Sequence, residues 1–131
     1  MRSQASKRNS GPVSTLLKFI FGLLLAVATH QTLTPKAIDA FDSPPDKLVH
    51  FLCWAVLSAA LYLAFHQAGR YRTLLMALFG YSVILEIGQH WVPGRHFSGE
   101  DMIANGIGCL FMYAIVKLIE WRWPAVKAKE T

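Results

Sequence analysis

Charge is scarce in this chain. Only 16% of its 131 residues are Asp, Glu, Lys or Arg, while 53% are hydrophobic and the mean hydropathy is +0.34. Water-soluble domains carry about 25% charged residues, so the balance points to a membrane protein. Cysteine is almost absent. Cys53 and Cys109 both fall inside apolar runs and show no CxxC spacing, which removes zinc-knuckle and dithiol redox chemistry and leaves two small buried residues. Neither HExxH nor GxSxG occurs, and Ser82 and Ser98 lack a nucleophile-elbow setting. Period-two alternation is missing as well, which excludes β-barrel strands. The net charge of +5 has no basic groove with interleaved aromatics behind it, so nucleic acid is not an expected partner. His30, His50, His90 and His96 match no standard ligand spacing. Neither a metal nor a cofactor is expected.

What the chain does have is four apolar runs: Val13–Thr29, Leu48–Phe65, Leu74–Trp91 and Met102–Ile119. Each is 17 or 18 residues long, near the lower limit of about 17–25 for a spanning helix. The expected fold is an all-α membrane protein with four transmembrane helices. Ten of the thirteen basic residues fall on one side of these runs: Arg2, Lys7, Arg8, Lys18, Arg70, Arg72, Lys117, Arg122, Lys127 and Lys129. Lys36, Lys47 and Arg95 fall on the other side with six of the eight acids. The positive-inside rule then makes both termini cytoplasmic, in a multi-pass protein of the cytoplasmic (inner) membrane. Residues 1–12 and 124–131 read as cytoplasmic tails around a transmembrane domain at 13–123. The basic start, apolar core and Ala26-Val27-Ala28 also resemble a cleavable signal peptide, but the core is long and the reading adopted is a retained first span.

Polar residues cluster where the spans meet the outer side. Ser43-Pro44-Pro45-Asp46 and Ser98-Gly99-Glu100-Asp101 are helix starts, each a serine with an acid three residues on. The pattern Ser43-x-x-Asp46-x-x-x-His50 is echoed by Ser98-x-x-Asp101-x-x-x-Asn105, and either an internal repeat or capping chemistry alone accounts for it. At about 1.5 Å rise per residue, His50, Glu86 and Asn105 reach a similar depth below the outer surface. Asp46/His50 and Asp101/Asn105 are i,i+4 pairs, Glu86/Gln89 an i,i+3 pair, so each pair shares a helix face. Lipid rejects such faces, and they should converge inside the bundle. Above them stand Lys47 and Arg95 with the positive ends of the second and fourth helices, a receptor for an anion. An Asp101–Arg95 pair that holds the turn is the plain alternative. Gly106 and Gly108 offer close helix approach.

Together, Asp46-Lys47-x-x-His50-Phe51, Glu86-x-x-Gln89 and Gly94-Arg95-x-x-Ser98-x-x-Asp101-x-x-x-Asn105-x-x-Gly108 resemble the VanZ-like family of small bacterial membrane proteins. Met112 stands where such proteins often carry a small residue. The resemblance implies an integral membrane protein of the cell envelope. The family's name-giving member is linked to low-level resistance to the glycopeptide teicoplanin, and the family as a whole has no established reaction. Three functions are open. The first is binding of an anionic lipid or cell-wall precursor through Asp46, Lys47, His50, Glu86, Gln89, Arg95, Ser98, Asp101 and Asn105. The second is an enzyme acting on a lipid-linked substrate, with His50 and Glu86 as acid and base. The third is a structural protein whose polar groups only fasten helices.

Overall fold

The computed structural model describes residues 11–35, 46–66 and 69–127, with Asp46 in its backbone alone. Four helices make up the fold: α1 (Pro12–Leu33), α2 (Asp46–Phe65), α3 (Tyr71–Gly88) and α4 (Gly99–Arg122). Short 3-10 turns, Gln89–Trp91 and Pro124–Val126, follow α3 and α4. No strand occurs among the described residues. All four helices are long and apolar enough to cross a membrane, as the four apolar runs require. Trp91, Trp121 and Trp123 are exposed at the helix ends, where amphipathic rings suit a membrane interface.

The helices outrun the apolar runs because side chains satisfy their ends. α1 keeps its helical form through His30, Gln31 and Thr32, and residues beyond α3 donate to its last carbonyls. α4 begins at Gly99 because Ser98 Oγ accepts the Asp101 N–H at 3.2 Å, the expected cap. α3 does not continue unbroken to Trp91; its last turn tightens to 3-10 geometry before Gly94, at φ 73°, reverses the chain.

α2 and α4 share the largest interface and run in the same direction. Their contacts march in step along both helices: His50 meets Asn105, Phe51 and Ala55 meet Gly108, and Tyr62 meets Glu120. Gly108 sets the closest approach. A Cβ there would collide with the Phe51 carbonyl oxygen and stand 3.1 Å from Ala55 N. Gly106 faces α3 instead, where the Phe79 ring covers it. The core runs along α2 through Trp54, Leu57 and Leu61, and α3 and α4 close over it with Leu75, Leu78, Cys109 and Val116. Cys53 and Cys109 are free thiols.

We call the two ends of the bundle after their residues. At the basic end, Tyr71 OH donates to the Ser58 carbonyl at 3.1 Å and stacks on Tyr113. Glu120 lies in the last turn of α4, where the carbonyl ends disfavour an anion. Lys117 Nζ at 2.9 Å and Tyr62 OH at 3.3 Å donate to it and hold it against α2. α1 packs least: only 6% of its apolar window is buried, against 39% for α2. Its fixed points are the Phe21–Phe65 edge contact, the Thr29–Tyr81 hydroxyl pair at 2.7 Å, and the ties at the polar end.

Candidate functional site

The polar end gathers four side chains from three helices. His50 enters from the second turn of α2, and its Nδ1–H donates to Asn105 Oδ1 at 2.9 Å. The same nitrogen is 3.4 Å from Glu86 Oε1, and His50 Nε2 is 3.6 Å from Asp101 Oδ2. Both ring nitrogens therefore face oxygen acceptors, and the imidazole is held between two carboxylates. Glu86 and Asn105 are each 1% exposed. Among the described residues, Glu86 Oε2 and Asn105 Nδ2 have no hydrogen-bond partner. A buried polar group left without a partner costs about 1–3 kcal/mol.

A second tier stands beside it. Gln89, 3% exposed, donates from Nε2 to the Thr32 carbonyl at 3.3 Å. Arg95 donates from Nε to Thr34 O at 3.1 Å and from Nη2 to Gln31 O at 2.6 Å. The turn after α3 thus caps the C-terminus of α1, where a cation is favoured. The alternative Asp101–Arg95 pair is not found among the described residues. Gly94 turns the guanidinium toward α1, while Asp101, four residues before Asn105 on α4, faces His50. Lys47 pairs with Glu100, and both are exposed, so this ion pair contributes little. Ser98 is engaged as a cap. Ser43 and the side chain of Asp46 lie outside the described residues. His30, His90 and His96 do not gather with His50 into a metal-type cluster among the described residues.

Residues 3–120 match the sequence pattern of the VanZ/LLP1 family. The chain belongs to that family. With its four apolar helices it is a multi-pass membrane protein of VanZ type. No curated protein and no solved structure matches it.

In this VanZ/LLP1 protein the polar end continues into a groove of about 630 Å³ between α1 and α2. His50, Gln89, Arg95, Gln31 and Thr32 line its polar mouth, and Leu24, Val27, Leu52, Trp54, Val56 and Leu57 line the rest. Its volume and its mostly apolar lining with a few polar groups at one end place the groove in the range of ligand pockets. Sequence reasoning brought His50, Glu86 and Asn105 to one layer. It missed the part played by Gln31, Thr32 and Thr34, whose backbone carbonyls leave no side-chain signal.

Proposed function

We propose that this VanZ/LLP1 protein is an inner-membrane protein of the cell envelope. Its polar end faces outward and binds the anionic head of a lipid or lipid-linked cell-wall precursor. The observation that carries the reading is the groove's mouth. Arg95 is the one Lys, Arg, Asp or Glu among the described residues that line it, and its partners are neutral carbonyls, so its charge is uncompensated by any ion pair among the described residues. His50 and Gln89 add polar contacts beside it. Glu86, Asn105 and Asp101 do not line the groove; they hold the His50 ring from behind. The outward orientation rests on the placement of ten of thirteen basic residues at the opposite end.

The imidazole between two carboxylates also supports acid–base chemistry on a bound lipid-linked substrate. Membranes of cells that carry the wild-type protein, Arg95→Gln or His50→Ala provide the test. Lipids that copurify with the protein are identified by native mass spectrometry. The binding reading expects an anionic lipid that remains on wild type, is weakened on His50→Ala and is lost from Arg95→Gln. Chemistry expects His50→Ala to accumulate an unconverted lipid. Equal lipid profiles for all three would refute both.

A further inference from the structure

The groove has two unlike ends, and its geometry specifies more than a head. Along α2 it runs from Val49 to Leu57, about 12 Å at helical rise. One leaflet of a bilayer core about 30 Å thick is about 15 Å deep. The groove therefore starts at the polar mouth and ends short of the midplane, within a single leaflet. Its rim is formed by residues that face the membrane rather than water: Val27 is 51% exposed, Leu52 51% and Val56 54%. A slot open along that rim is entered sideways, from lipid.

We infer that the groove between α1 and α2 is a lipid-tail site. It takes one hydrocarbon chain of a lipid phosphate that slides in laterally, while the phosphate stays at Arg95, Gln89 and His50. The inference rests on the head-binding reading above and extends it to the chain, the entry route and the phosphate class. Charge complementarity favours phosphate. The mouth offers a guanidinium, whose fork suits phosphate oxygens and which has N–H groups to spare beyond the two given to α1. A neutral chain of equal length gains the apolar contacts but not the head.

The same chemistry has two sources, a two-chain bilayer phospholipid or a single-chain carrier phosphate. The test places the full chain in nanodiscs of digalactosyl diacylglycerol, a bilayer lipid without phosphate. Three diazirine-bearing probes are photolysed in turn: hexadecyl phosphate, phosphatidic acid, and hexadecanol as the neutral control. Crosslinked residues are mapped by peptide mass spectrometry. We expect crosslinks at Cys53, Val56 and Leu24 to exceed those from hexadecanol by about tenfold, the enrichment of a site whose head contributes about 1.4 kcal/mol. Enrichment by hexadecyl phosphate alone identifies the single-chain source. Enrichment by phosphatidic acid as well identifies the bilayer phospholipid. Arg95→Gln should return labelling to the neutral level, and Arg95→Lys should restore part of it, which separates charge from folding. Val56→Trp fills the slot from its exposed rim and should abolish the groove crosslinks with Arg95 intact. Arg95-dependent labelling that maps to other helix faces would overturn the tail site and leave the head reading standing. Labelling indifferent to Arg95 would overturn both.

Discussion

Gly108→Ala is the most searching perturbation of this bundle. The added methyl meets backbone on α2, the Phe51 carbonyl oxygen and Ala55 N, and backbone cannot swing aside as a side-chain tip can. α4 must move off α2. Overpacking of this kind costs about 1–3 kcal/mol, and two backbone contacts put it toward the upper end. Alanine returns about 0.8–1.0 kcal/mol of helix propensity over glycine, which leaves a net loss of about 1–2 kcal/mol. The chain supplies its own controls. Gly80→Ala gains the same propensity with nothing within 4 Å, and Gly106→Ala meets only the Phe79 ring. Reversible denaturation in mixed detergent should rank Gly80→Ala at or above wild type, Gly106→Ala near it and Gly108→Ala below it. Gly108 lies about 4.5 Å along α4 from Asn105, so the same shift should open the His50–Asn105 bond and weaken lipid retention. A Gly108→Ala protein as stable as Gly80→Ala would refute the close α2–α4 contact as the fastening of this fold.

Two further outcomes are expected. Glu86→Gln keeps the acceptor that faces His50 and replaces an oxygen that has no partner, so its stability should stay within about 1 kcal/mol of wild type. Glu86→Ala removes a buried side chain together with the acceptor that faces His50 and should lose more, about 2–5 kcal/mol; equal losses for the two variants in the same denaturation assay would contradict the geometry. For orientation, Ser98→Cys in a background free of Cys53 and Cys109 should react with an impermeant thiol reagent added outside intact cells. Labelling only after the membrane is opened would reverse the topology.

The four spans were legible because lipid demands uninterrupted apolar runs, and the depth of His50, Glu86 and Asn105 followed from helical rise alone. The end of α1 was not legible. Gln31 and Thr32 lie beyond the apolar run, and donors on Arg95 and Gln89, 64 and 57 residues away, satisfy their carbonyls. An Arg95–Asp101 pair stood open as an alternative because they are near in sequence, yet Arg95 reaches α1 while Asp101 faces His50 on α2. The sequence echo placed His50 and Asn105 in matching positions, and the structure brings those two into direct contact. The groove had no sequence signature, because it is the space left by a loosely packed α1 and exists only in the assembled bundle.

The parallel course of α2 and α4 has a consequence for biogenesis. Two parallel neighbours cannot be joined by a short turn, so α3 must be made and threaded back before they meet. His50 and Asn105 are 55 residues apart in the chain. At synthesis rates of about 5–20 residues per second, α2 waits about 3–11 s in the bilayer for its partner. Throughout that interval the imidazole is a polar group without its helix mate, and the C-terminal carbonyls of α1 wait for Arg95. The polar end is therefore the last part of the molecule to close.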